Sequence, residues 1–290
     1  MKSHVQPVII IGAARSGTKF LRDILADHPK VVRVPYDINY IWRTGNENLD
    51  DDEFEYAKFN VRIKNKIRSL IQKSCGASYP LSDFFVEKTV SNALRIRFVD
   101  MVYPDAKYIH IFRNGIGVVE SSKRCWREPR SKSQWLKKIM SFPLSNYRYL
   151  FWFIKNTFFN SVQIPVWGPR YAGIDGDVNQ MSLLQVCARQ WLRCVSRSAN
   201  QLNLIENSRV FSVSYEELVS DRNSVKNICD FLGLSAEFVL DSYDRHLVYD
   251  STPVTERLDV SELRSIKAAI DCELRLDKSI RLNKDYGWER

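Results

Sequence analysis

The chain has 290 residues, enough for one large α/β domain or two small ones with a substantial core. Its 44% hydrophobic and 27% charged residues are ordinary for a soluble globular protein. Lys and Arg (43) exceed Asp and Glu (34) by nine, which favours an anionic ligand or surface; without a basic tail or a recognisable nucleic-acid motif, nucleic acid is the least favoured of these.

Residues 1–7 are polar and carry no recognisable signal peptide, and the most apolar later run, residues 149–154, is far shorter than the roughly 20 residues of a membrane-spanning helix. The six cysteines contain no C-x-x-C pair and mostly sit in apolar helical patterns, so they read as buried thiols in a reducing compartment. Cys187 and Cys194 fall on one helix face without an accompanying His, which suits a core better than a metal site. A cytoplasmic chain without a metal is expected.

In chain order, Val8-Ile9-Ile10-Ile11 reads as a buried parallel strand, because a strand covered on both faces has no polar side to show. Gly12 and Gly17 then punctuate a loop, and the apolar spacing of Phe20, Leu21, Ile24 and Leu25 is helical. Strand, glycine loop and helix make a phosphate cradle, since unpaired N–H groups and the helix dipole meet at the helix start. The Gly-x-x-x-x-Gly spacing is that of a nucleotide P-loop, but Thr18-Lys19 reverses the Lys-Ser/Thr order that magnesium-nucleotide binding needs. Arg15 adds a planar donor fork suited to an oxyanion. The loop therefore fits a phosphate-like group without a tightly placed magnesium; a glycine loop that binds nothing is the alternative.

Asp27-His28-Pro29 ends the first helix, and Val31 to Val34 form a second strand with Asp37 just beyond its carboxyl end. The acidic run 50–55 reads as a solvated loop and helix start, followed by helical periodicity to about Ser74. A third strand, 84–89, ends in polar groups; a helix follows over 94–102, and a fourth strand, 107–112, ends at Arg113. Val118, Val119, Ser121 and Ser122 lie on the next helix. A long helix over 182–206, a fifth strand at 210–213 capped by Tyr215-Glu216-Glu217-Leu218, and helices near 225–232 and 261–274 complete the chain. This alternation predicts a three-layer, P-loop-like α/β fold: a central parallel sheet flanked by helices, in a single domain over 1–290. The pattern breaks over about 126–180, where aromatic residues interleave with Lys and Arg. That helical, aromatic-rich insertion is either a packed layer, or an acceptor-binding lid or lipid-contacting face over the carboxyl edge.

Arg15, Ser16, Gly17, Thr18, Arg113, Ser121 and Tyr215-Glu216-Glu217-Leu218 together resemble the sulfotransferases that use 3′-phosphoadenosine 5′-phosphosulfate (PAPS). The resemblance spans about residues 8–234, and its first motif, with Asp27-His28-Pro29, is most similar to tyrosylprotein and carbohydrate sulfotransferases and their bacterial relatives. It implies a 5′-phosphosulfate loop at Arg15, Ser16, Gly17, Thr18, Lys19 and Phe20, and a 3′-phosphate site at Arg113 and Ser121, eight residues apart. Tyr215 would pack near the adenine. The segment 228–234 resembles the family's FLGL motif, whereas Thr255-Glu256-Arg257-Leu258 matches its C-terminal basic loop poorly.

Sulfuryl transfer needs in-line positioning, charge stabilisation on the leaving oxygen and a base for the acceptor proton. Arg15 and Lys19 are expected to neutralise the leaving 5′-phosphate; a solvent-facing helical lysine is the alternative for Lys19. Arg113 is expected to fork two 3′-phosphate oxygens, or else to pair with a core carboxylate. The family usually places a Glu base after the second strand; here Asp37 stands one residue away in an ungapped comparison, as a base or a turn cap. Glu87 is the second candidate base, although neighbouring Lys88 suggests a structural ion pair with it. Lys88 is also a candidate to reach the acceptor or the sulfuryl group. His110 reads as a core histidine and His28 as a helix-end residue. The acceptor is expected to be a small molecule, carbohydrate or lipid bearing a hydroxyl or amine, with peripheral membrane contact a further expectation; the oligomeric state is not legible. The rival classes are a P-loop nucleotide-dependent kinase, disfavoured by the reversed Thr18-Lys19 and by Arg113 at the fourth strand's end, and a non-catalytic nucleotide-binding protein of the same fold.

Overall fold

The structure, a computed structural model, describes residues 4–55, 57–127, 166–247, 256 and 258–276. Most of the expected insertion, and Thr255 and Arg257 of the segment 255–258, lie outside these residues.

The strands are β1 (Gln6–Ile11), β2 (Val31–Arg33), β3 (Phe84–Glu87), β4 (Lys107–Phe112) and β5 (Val210–Ser214). They form one parallel sheet in the order β2-β3-β1-β4-β5. Side chains alternate across a strand, so β1 serves two cores. Ile9 and Ile11, with Phe85 and Tyr108, face one cluster; Val8 and Ile10, with Val86, Ile109, Ile111 and Val213, face the other. This is the expected architecture: a parallel sheet buried on both faces, in a three-layer, P-loop-like α/β fold.

One face is covered by α1 (Thr18–Ala26), α9 (Arg222–Leu232) and α10 (Ala236–His246), which pack on one another. The other carries α3 (Val61–Cys75), α4 (Ile96–Val102), α5 (Gly115–Arg127), α7 (Leu183–Leu202) and α11 (Val260–Leu276). The short α2 (Asn39–Trp42) and α6 (Ile174–Gln180) join that side, and α8 (Tyr215–Ser220) follows β5 directly. Ser182 closes a capping box with Gln185 at the start of α7, and Ser214 does the same with Glu217 at the start of α8. Tyr215-Glu216-Glu217-Leu218 is thus the body of a helix rather than a strand cap. The helix expected over 182–206 ends at Leu202, and α10 was not anticipated.

His110 is buried mid-strand, as expected, and His28 sits just past α1 with its ring bonded to Ser235. Cys75, Cys187, Cys194 and Cys229 are buried, but Cys125 is partly accessible and Cys272 exposed.

The acidic run 50–55 departs from its solvated reading. Asp52 is fully buried, taking Arg43 Nη1 at 2.7 Å, Ser91 Oγ at 2.8 Å and Arg170 N at 2.9 Å, with Arg95 Nη1 at 3.4 Å. Burial opposes its charge, but the Arg95 and Arg43 guanidinium groups outweigh that and hold its pKa below the ordinary carboxylate range. Glu53 is buried as well and is bridged by Arg197.

Among the described residues no helix is long and apolar enough to cross a membrane.

Candidate functional site

The strand order sets the site. The carboxyl ends of β2, β3, β1, β4 and β5 stand in a row about 4.8 Å apart, and the chain crosses from one side of β1 to the other between β3 and β4. Ligands of open α/β sheets bind at such a reversal. Along this edge the sequence supplies, in spatial order, Asp37, Lys88, the 12–17 loop, Arg113 and Tyr215.

The loop is shaped by its glycines. A Cβ on Gly12 would lie 2.4 Å from the Ile111 carbonyl, so only hydrogen lets the loop settle on β4. Gly17 has φ +84°, and a Cβ there would meet the Tyr215 ring at 2.5 Å. Arg15 also takes a left-handed conformation, φ 69°, which costs a non-glycine residue about 1 kcal/mol. The α1 N-terminus has no side-chain cap and no acidic residue in its first turn. Its leading N–H groups are therefore available to an anion. Ser16 is buried and its hydroxyl finds no partner among the described residues. A buried unsatisfied hydroxyl beside an uncapped helix start fits a bound oxyanion.

The two phosphate motifs meet. Arg15 Nε donates to Ser121 Oγ at 2.8 Å, and Arg113 Nη1 donates to the Arg15 carbonyl at 2.9 Å. Arg113 is held from behind: its guanidinium lies 4.2 Å over the Tyr215 ring, and Glu216 accepts from Asn114 N at 3.3 Å. Burial lowers the Arg113 pKa, with Tyr215 and Glu216 opposing the shift. A Cβ at Gly117 would press within 3.2 Å of Arg113 Nε, so this glycine leaves the guanidinium its room. Glu216 and Gly117 were not among the sequence candidates; the Tyr-Glu-Glu-Leu motif pointed to the first, and nothing in the sequence to the second.

Two loop candidates look elsewhere. Lys19 is 78% exposed and pairs with Asp23 at 3.7 Å, one turn along α1. Phe20 packs edge-on against Tyr243 with ring centroids 5.8 Å apart.

At the other end of the row, Asp37 and Lys88 come together, their charged groups 3.8 Å apart. Asp37, 39% exposed, also accepts from Asn39 N and Val90 N, both at 3.2 Å. It is thus a turn cap and a solvent-facing carboxylate at once. The ammonium of Lys88 lies with Asp37, not in the pair with Glu87 suggested by sequence adjacency. Glu87 is fully buried beneath them, accepting from Thr89 Oγ1 at 2.5 Å and Asn92 Nδ2 at 3.0 Å. Burial pushes its pKa up to about 7. Among the described residues no group of three or more His, Cys, Asp or Glu side chains is disposed to hold a metal ion.

The arrangement offers anion donors over the centre of the edge and a carboxylate–ammonium pair to one side. Residues 7–150 match the family model described as "Sulfotransferase family". No curated protein matches the chain in sequence. Similar solved structures include a sulfotransferase from Alicyclobacillus acidocaldarius (17% identity, TM-score 0.47, covering 94% of this chain and 97% of that one). The sulfotransferase domain from the Synechococcus PCC 7002 olefin synthase shows 17% identity and a TM-score of 0.47 over 98% of this chain and 94% of that one. Mouse sulfotransferase SULT7A1 complexed with PAP shows 15% identity and a TM-score of 0.49 over 95% of this chain and 87% of that one. Residues 7–150, just under half of the chain, thus carry the sequence pattern of the sulfotransferase family.

Proposed function

We propose that the protein transfers a sulfuryl group from PAPS to a hydroxyl or amine of a small-molecule, carbohydrate or lipid acceptor. The observation that carries this reading is the junction of Arg15, Ser121 and Arg113. Two motifs 106 residues apart combine there into one surface of charged and hydroxyl donors. A donor with phosphate groups at both its 5′ and 3′ positions asks for that extended surface, whereas a single polyphosphate chain asks for a compact one.

The bound donor would supply an activated sulfuryl group and a phosphate leaving group. The uncapped start of α1, the Ser16 hydroxyl and the Arg15 guanidinium would hold the 5′ end and stabilise the charge growing on the leaving oxygen. Arg113, braced by Tyr215, and Ser121 would hold the 3′-phosphate. Asp37 would accept the acceptor's proton as its oxygen or nitrogen bonds to sulfur and the bridging S–O bond breaks toward phosphate. Lys88, paired with Asp37, would orient that carboxylate and meet the transferred group's charge. The exposed Tyr36, whose hydroxyl lies 3.3 Å from that of Tyr40, would flank the acceptor.

The test is calorimetry with the desulfated donor, 3′-phosphoadenosine 5′-phosphate, against ATP–Mg²⁺, followed by transfer of labelled sulfate from PAPS to extract fractions. Preference for the bisphosphate together with a labelled product supports the reading. Preference for ATP–Mg²⁺ would point to a kinase, and tight binding without any labelled product to a nucleotide-binding protein.

A further inference from the structure

We propose that Glu87 is a positioning residue that fixes the turn carrying Asp37, acting through Thr89 on one side and Asn92 on the other. The inference rests on the reading of Asp37 as the base. Both oxygens of the Glu87 carboxylate accept hydrogen bonds, and each begins a chain that ends just beyond Asp37. From Oε1 the chain runs to the Thr89 hydroxyl, which itself accepts from Ile38 N at 3.1 Å. From Oε2 it runs to the Asn92 amide, whose oxygen takes Arg95 Nε at 3.0 Å, and Arg95 Nη2 donates to Asn39 Oδ1 at 2.5 Å. A third bond, from Val90 N, reaches the Asp37 carboxylate itself.

Glu87, Thr89, Asn92 and Arg95 are all buried, so water does not substitute for a lost partner. β2 and β3 are neighbours in the sheet, and the last backbone hydrogen bond between them among the described residues runs from Val34 N to the Val86 carbonyl at 2.9 Å, leaving side chains to hold the two segments beyond it. Glu87 ends β3 and so can tie the two strand exits together.

The ionised carboxylate is the stronger acceptor at both oxygens; a proton on Oε2 would weaken the bond from the Asn92 amide. The charged and titratable groups around Glu87 are Asp37 and Lys88 at the strand exits, Arg95 at the start of α4, Cys75 at the end of α3 and Tyr103 beyond α4. Burial is the largest influence and Asp37 adds to it, while Thr89 and Lys88 oppose it.

The test compares Glu87→Gln, Thr89→Val and Thr89→Ser in the full chain by backbone hydrogen exchange, affinity for 3′-phosphoadenosine 5′-phosphate, and turnover. Glu87→Gln and Thr89→Val should raise exchange across residues 36–42 by about tenfold while Thr89→Ser restores protection. Bisphosphate affinity should hold within about twofold. Turnover should fall by about tenfold at unchanged acceptor KM. Unchanged exchange across 36–42 in both disruptive variants would overturn the proposal whatever turnover does. Raised exchange in a protein that transfers no sulfate would uphold Glu87 as the anchor of the turn and remove Asp37 as the base. If Glu87→Gln does not fold, Thr89→Val decides, since it leaves the carboxylate in place.

Discussion

Arg15 Nε donates to Ser121 Oγ across 2.8 Å, joining the loop after β1 to the helix after β4. In the proposed function the first residue would serve the 5′ end of the donor and the second its 3′ end. In the fold they share one hydrogen bond, and Arg113 closes the triangle by donating to the Arg15 carbonyl. The two proposed grips are therefore mechanically linked, and a change at one should be felt at the other.

Arg113→Ala should weaken binding of 3′-phosphoadenosine 5′-phosphate by about 2–3 kcal/mol, the cost of a lost charged hydrogen bond. Because Arg113 also holds the Arg15 carbonyl, the same variant should loosen the 12–17 loop, visible as faster exchange of its amides. Calorimetry gives the first quantity; unchanged affinity would remove Arg113 from the site.

Asp37→Asn keeps an oxygen to accept from Asn39 N, but gives up the bond from Val90 N, the charge facing Lys88 and the base. Bisphosphate affinity should stay largely intact while turnover falls at least about a hundredfold. Near-normal turnover would mean that another group takes the acceptor's proton.

Asp52→Asn should cost about 3–5 kcal/mol of stability, because Arg43 and Arg95 would remain buried with their shared carboxylate removed. Urea unfolding reads this as a lower midpoint at an unchanged slope. A loss below about 1 kcal/mol would return the acidic run to its solvated reading.

The division between legible and hidden features has a physical basis. The strands were legible because a sheet covered on both faces demands unbroken apolar runs such as Val8 to Ile11, and the motif loops because each comes directly after such a run. Asp52 was not legible: its neighbours in sequence are acidic, and the arginines that bury it come from just after α2 and from just before α4. The same holds for Lys88, whose sequence neighbour Glu87 turns inward while its partner Asp37 comes from the β2 exit. Helix α10 escaped because its fully buried positions are few, Val239, Ser242 and Tyr243, too short a pattern to stand out from a loop. Parallel pairing itself is long-range, so the row of strand exits that makes the site exists only once the order β2-β3-β1-β4-β5 is known.

Two buried groups should oppose each other in the dependence of stability on pH. Burial raises Glu87 from 4.5 to about 7 and lowers His110 from 6.5 to about 4. For Glu87 the folded state binds the proton more tightly, so its contribution is fully present below about pH 4.5 and is lost as pH rises through 7. For His110 the unfolded state binds the proton more tightly, so its contribution is present above about pH 6.5 and is lost as pH falls through 4. At 1.36 kcal/mol per pKa unit each amounts to about 3 kcal/mol, with opposite slopes between pH 4.5 and 6.5. Glu87→Gln removes one slope only. Its stability relative to the parent protein should rise by about 2–3 kcal/mol between pH 4.5 and 7, read from denaturant midpoints at each pH. A difference between the two proteins that does not change with pH would mean that Glu87 keeps its charge throughout this range, and the buried carboxylate would then be compensated more fully than its two hydrogen bonds account for.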